Sequence, residues 1–146
     1  MKRWGLQIRQ PLRRLLYVAS SALFLSGVVW AWIQHLDESG KAGSGLLRMK
    51  TWLIAIHGFS AMTFVLLLGM ILAGHVRRAW NARKNRSNGG FFLISVSLLA
   101  LSGYALYYLG NEDWRNAASH FHLWLGIAAP VLLGWHIWRG RRVTGS

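Results

Sequence analysis

The stretch TWLIAIHGFSAMTFVLLLGMILAGHV, residues 51–76, decides how the chain must be read. It holds no Asp, Glu, Lys or Arg, yet it carries a histidine towards each end, His57 and His75. A helix crosses a hydrocarbon core of about 30 Å in roughly 20 residues, so the run is long enough to span a bilayer. Three more uncharged runs accompany it, residues 15–34, 87–111 and 116–138. Lipid offers bare backbone groups no partner, so four such runs imply four helices rather than loops or open strands. The expectation is an all-α membrane protein: a four-transmembrane-helix bundle forming one domain over residues 1–146, with spans at about 11–35, 49–76, 90–110 and 117–138.

Composition points the same way. The 146 residues are 53% hydrophobic and 14% charged, against about a quarter charged in a soluble domain. Seventeen Lys and Arg face four Asp and Glu, a net charge of +13, and such an excess ordinarily suggests nucleic acid. Its placement argues otherwise. Lys2, Arg3, Arg9, Arg13 and Arg14 precede the first run, Arg77, Arg78, Arg83, Lys84 and Arg86 separate the second from the third, and Arg139, Arg141 and Arg142 follow the fourth. The other two loops hold Lys41, Arg48, Lys50 and Arg115 together with all four acids, Asp37, Glu38, Glu112 and Asp113. Basic short loops mark the cytoplasmic side, which predicts cytoplasmic N- and C-termini and a basic face turned to anionic membrane lipid, not nucleic acid. The first run is too long for a secretory signal, lacks a small-x-small cleavage site and ends in Trp30 and Trp32, so a retained helix is expected.

With no Cys in the sequence, disulfides, covalent c-type haem, iron–sulfur clusters and thiolate zinc are excluded. A cofactor would rest on His, Met or oxygen ligands. The six histidines are therefore informative, because an ionisable side chain inside a span implies function. His57 and His75 are 18 residues apart, about five turns and about 27 Å. His122 and His136 are 14 apart, about four turns and about 21 Å with a drift near 40°. Each pair shares a helix face, and the two helices run in opposite directions. His57 then matches His122 in depth on the outer side, and His75 matches His136 on the cytoplasmic side. Two facing histidines can supply both axial ligands of a haem iron, so the expectation is two b-type haems, one being possible. His120 is turned about 160° from His136; it and His35 read as interface residues. Gly58, Gly69, Gly74, Gly126 and Gly134 offer close approach to a macrocycle or a neighbouring helix. Trp124 and Trp135 fall deeper than the other tryptophans and are expected to pack, whereas Arg48, Lys50, Arg115, Arg77, Arg78 and Arg139 are available to haem carboxylates. Histidines that merely hydrogen-bond across helices are the competing reading. A clustered metal site and zinc hydrolysis fit less well, with no acid inside any span and no His-Glu-x-x-His pattern.

The segment from His122-Leu-Trp-Leu-Gly126 through Trp135-His136-Ile-Trp-Arg-Gly-Arg-Arg142, with its two histidines 14 apart and its basic exit, resembles the bacterial four-helix di-haem b-type cytochromes of the cytochrome b561-like superfamily. Including the His-bearing second helix, the resemblance covers roughly residues 51–142. It departs from several of those families in having no His on the cytoplasmic half of the first helix, and two His on each of two helices is closer to the cytochrome b arrangement of respiratory complexes. The resemblance implies a bacterial inner membrane, and electron transfer between a quinone or quinol pool and a redox partner. With almost no extramembrane mass, the chain would act as a subunit of a larger membrane redox complex. A stand-alone quinone-linked oxidoreductase of a small substrate and a cofactor-free membrane anchor or assembly subunit are the alternatives. Tyr17, Tyr104, Tyr107 and Tyr108 are the weakest of quinone-contact candidates.

Overall fold

The computed structural model describes residues 10–72, 74, 81 and 86–144. Four long helices follow one another: α1 (Gln10–Glu38), α2 (Ser44–Ile71), α3 (Arg86–Tyr108) and α4 (Glu112–Thr144). All four are long and apolar enough to cross a membrane. Even α3, the shortest at 23 residues, rises about 34 Å. The chain is a multi-pass, all-helical membrane protein.

The helices overrun most of the expected spans. α2 begins at Ser44, where a span from residue 49 is expected, and α4 continues to Thr144, past the expected end at residue 138. Charged residues mark where an apolar span ends, not where helical hydrogen bonding ends, and both overruns carry cations, Arg48 in α2 and Arg139, Arg141 and Arg142 in α4. At its other end α2 is regular only to Ile71, and Leu72 and Gly74 adopt the wider π-type turn. His75 lies outside the described residues.

Local chemistry explains the ends. After α1, Gly40 takes φ +69°. Its N–H donates to the Asp37 carbonyl at 2.9 Å, and that of Lys41 donates to Leu36 at 2.8 Å. This is the paired closure of a Schellman motif, which needs the left-handed conformation at its glycine. Replacing Gly40 by Ala places a Cβ in that conformation, with an expected cost of about 1–2 kcal/mol, read as a lowered thermal midpoint in detergent. α4 starts on Asn111, whose Oδ1 accepts from the Trp114 N–H at 3.1 Å, an N-cap. Glu112 and Asp113 in its first turn and Arg141 and Arg142 in its last oppose the helix dipole favourably.

The chain divides into two compact units, one being Pro11–Leu67 and the other containing Leu68–Ser146. Within the first, α1 and α2 form an antiparallel hairpin, closed near its loop by Lys50 Nζ and Asp37 Oδ2 at 3.0 Å, with Lys50 5.4 Å from the Trp30 ring centre. Within the second, α3 and α4 form another. On α1 the buried residues Ala19, Ser26 and Ile33 recur every seventh position, as do Ser95 and Ser102 on α3. A strict seven-residue seam is the signature of left-handed coiling between neighbouring helices.

What is buried is small or polar, and what is exposed is apolar. Ser26, Ser60, Ser95 and Ser102 are buried, whereas Phe59, Met70 and Val131 are about 70% exposed (71%, 68% and 73%). Water would penalise this distribution. Lipid does not, because helices in a bilayer associate through small residues and interhelical hydrogen bonds while their apolar faces meet acyl chains. The hydroxyls remain satisfied by bonding back to their own helix, Ser20 to Leu16, Thr63 to Phe59 and Ser95 to Phe91. Among the described residues no buried side-chain nitrogen or oxygen lacks a partner.

Candidate functional site

In each hairpin a histidine of the second helix is seated against a polar–Gly dipeptide of the first. In the Pro11–Leu67 unit, His57 on α2 meets Ser26-Gly27 on α1. Its Nδ1 lies 3.1 Å from Ser26 Oγ and 3.1 Å from the Leu23 carbonyl oxygen. A carbonyl only accepts, so Nδ1 carries the proton. Ser26 agrees: its one hydroxyl proton goes to the Ala22 carbonyl, leaving Oγ to accept from the imidazole. A neutral His57 so held has its basic lone pair on Nε2. Gly27 makes the seat possible, because a Cβ there would stand 3.1 Å from His57 Cε1.

The α3–α4 hairpin repeats the device. His122 Nδ1 is 3.0 Å from Ser102 Oγ, and the Ser102 hydroxyl donates to the Leu99 carbonyl at 3.0 Å. With the Ser102 proton on Leu99 the ring donates to Oγ, and with that proton turned to the ring Nδ1 accepts it. A Cβ on Gly103 would lie 3.2 Å from His122 Cε1. Fourteen residues back along α3 and fourteen forward along α4, the pair becomes Asn88-Gly89 and His136. Here Asn88 Nδ2 is 3.4 Å from His136 Nδ1, and the Phe92 ring stacks on the imidazole at 4.9 Å with 16° between planes. Gly89 is looser, at 3.9 Å from His136 Cε1. The drift of about 40° expected between His122 and His136 does not separate them, since both meet one face of α3. At 3.5 residues per turn, fourteen residues make four whole turns, so the seven-residue seam removes the drift.

The sequence-level expectations meet this geometry unevenly. His57, His122 and His136 are partly buried on the interhelical faces, and His35 and His120 are exposed, as an interface reading requires. A Cβ on Gly58, Gly69 or Gly134 would meet nothing described within 4 Å, and one on Gly126 only Leu99 at 3.9 Å, so these glycines border open space. Gly134 instead lines an apolar groove with Val131, Trp135 and Trp138. Trp124 and Trp135 are 67% and 50% exposed, and Trp135 sets its ring against Trp138 at 5.2 Å. Two of the cations set aside for carboxylates are engaged by acids, Lys50 with Asp37 and Arg115 with Glu112 at 3.6 Å. Lys2, Arg3, Arg9, Trp4, Trp80 and the 77–84 basic cluster lie, like His75, outside the described residues. Tyr104 and Tyr108 stack at 4.3 Å and are 62% and 70% exposed.

What the reading of single helices overlooked is Ser26-Gly27, Asn88-Gly89 and Ser102-Gly103. The signal was present on α3, where a polar–Gly pair recurs at the same fourteen-residue interval as the α4 histidines.

A haem iron needs axial nitrogens with an available lone pair, normally with the other ring nitrogen donating to an acceptor. His57 meets that requirement through the Leu23 carbonyl at its Nδ1, and His122 fits it with Ser102 Oγ as the acceptor. Among the described residues no group of three or more His, Cys, Asp or Glu could hold a bare metal ion, and a bis-His haem site asks for none. Compared with protein-family models, characterised proteins and solved structures, the chain matches none of them.

Proposed function

We propose that this protein is a transmembrane electron carrier with two bis-His b-type haems, held by His57 with His122 towards the outer side and by His75 with His136 towards the cytoplasmic side. When bound, haem supplies reversible one-electron transfer at iron. The observation that carries the reading is the Nδ1 bonding of His57 and His122, the first to the Leu23 carbonyl and Ser26, the second to Ser102, each in a helix of membrane-spanning length. Pairing across the two hairpins rests on depth along the helices, counted from the sequence. The asymmetric loop charge supports cytoplasmic termini in a bacterial inner membrane. In this reading the chain serves as a subunit that relays electrons between quinone or quinol and a redox partner, rather than catalysing alone.

The test is a reduced-minus-oxidised spectrum of the full chain purified in mild detergent. A b-type α band that survives His120→Ala is the expected result. A colourless protein that also fails to take up added hemin would leave only the anchor reading, in which the same hydrogen bonds serve as interhelical fasteners. Quinol oxidation by the isolated chain would instead favour a stand-alone oxidoreductase.

A further inference from the structure

Towards its C-terminal end α4 carries a groove that electron transfer does not use. Val131, Gly134, Trp135 and Trp138 line about 300 Å³ of apolar space. At about 100° per residue, these four and Arg142 fall on one stripe roughly 100° wide. His122 and His136, the α4 residues that meet α3, lie about 150–170° around the helix from the middle of that stripe. The groove therefore faces away from α3, and Val131, Trp135 and Trp138 are 73%, 50% and 46% exposed. A Cβ at Gly134 would meet nothing described within 4 Å, so the floor of the groove is open because this residue has no side chain.

The end of the groove is basic. Arg142 sets its guanidinium carbon 3.9 Å from the Trp138 ring centre. Arg139 and Arg141 are exposed and flank the stripe, about 40° and 20° beyond its edges. No acid follows Asp113 in the sequence, and Asp113 lies about 39 Å of helix rise before Arg139. An apolar groove that runs along a helix of membrane-spanning length into three arginines matches a molecule with an acyl chain and an anionic head. A zwitterionic lipid would fill the groove but bring no net charge to its basic end. A second copy of this chain fits worse, because a symmetric parallel contact through this face sets each arginine cluster against its own image. We propose that this face of α4 binds an anionic phospholipid, with an acyl chain along Val131, Gly134, Trp135 and Trp138 and the phosphate at Arg139, Arg141 and Arg142. Arginine suits that place because it both stacks on an aromatic face and grips phosphate bidentately. The site goes beyond the haem reading and does not depend on it.

The experiment titrates the full-length chain in mild detergent with phosphatidylglycerol, with phosphatidylcholine of the same acyl chains, and with inorganic phosphate. Native mass spectrometry counts bound lipid, and the thermal midpoint is followed alongside. The expected result is saturable uptake of phosphatidylglycerol that raises the midpoint, with phosphatidylcholine much weaker and inorganic phosphate unable to displace the lipid. Each basic residue at a membrane surface adds a factor of about five in affinity for anionic lipid. Arg142→Gln should therefore weaken phosphatidylglycerol about fivefold, and Gln at all three arginines about a hundredfold, to the level of phosphatidylcholine. Gly134→Leu fills the groove, keeps every charge and replaces Gly by a better helix former; it should abolish the saturable uptake. Gln at both Arg13 and Arg14, exposed cations of α1, should leave the uptake unchanged. Equal affinity for the two lipids in the wild type overturns the proposal whatever the variants do. So does wild-type uptake by Gly134→Leu, or a loss with Arg13 and Arg14 as large as with Arg142. Displacement by inorganic phosphate would make this a free-anion site, and a doubled mass that Gly134→Leu abolishes would put a second copy on the groove; either result overturns the assignment to lipid.

Discussion

Replacing His122 by Ala is expected to remove about half of the b-type absorbance of the purified chain and leave the remainder oxidisable and reducible. An axial nitrogen on α4 is lost, and no other described histidine can take its place: His120 is two residues away and exposed, about 160° of helix from the face that His136 shares. His57→Ala should produce the same half-loss and the same residual spectrum, because His57 and His122 are proposed to hold one iron. His136→Ala should remove the other half. Each variant is read by haem per protein and by redox titration, where one of two transitions should vanish. If His57→Ala and His122→Ala delete different transitions, the proposed pairing by depth is wrong. If every variant keeps its full haem content, ligation by these residues is refuted. Comparing His122→Ala with Ser102→Ala separates ligation from packing. The serine variant loses a hydrogen bond of about 1 kcal/mol but keeps the ligand, so its haem should be retained at a shifted potential.

The second large effect is expected from adding one methyl group to α1 or α3. Ala at Gly103 would bring a Cβ to 3.2 Å from His122 Cε1, and Ala at Gly27 one to 3.1 Å from His57 Cε1. Both are closer than ordinary van der Waals contact, and the neighbour is a ring already held at Nδ1. Relief requires the imidazole to move off its serine or the helices to separate, at about 1–3 kcal/mol for overpacking of this kind. Haem affinity should fall with the lost alignment. Gly89→Ala provides the internal contrast. Its Cβ would sit 3.9 Å from His136 Cε1, so it fits, and the gain of about 1 kcal/mol in helix propensity should leave that variant neutral or more stable. Thermal midpoints of the three variants in one detergent decide the matter. Equal behaviour of Gly89→Ala and Gly103→Ala would show that close approach of these glycines to the rings is not what matters.

These two predictions mark where reading along single helices stops. The uncharged runs, the basic loops and the absence of Cys are local facts, and lipid converts them directly into helices, because a backbone without water has few ways to bond itself. The intervals His57 to His75 and His122 to His136 are equally legible as numbers, and the second passes intact into geometry, where both histidines meet α3. It lies on a continuous helix whose seven-residue seam turns fourteen residues into whole turns, whereas His75 lies outside the described residues. The glycines were harder. Gly58, Gly69 and Gly134 sit on the helices that carry the histidines and so draw attention, yet a histidine is seated by the helix opposite, where Gly27, Gly89 and Gly103 lie.

The sequence by itself determined the solvent, the number of helices and the candidate ligands, since each follows from hydrophobicity and spacing along one chain segment. Only the tertiary structure decided which atoms face each imidazole. Interhelical register sets that choice, and register depends on where α1 is stopped by the left-handed Gly40 and on the seam of small residues along which α3 meets α4. Ser26, Ser102 and Asn88, ordinary polar residues when read in order, thereby become the side-chain partners of His57, His122 and His136.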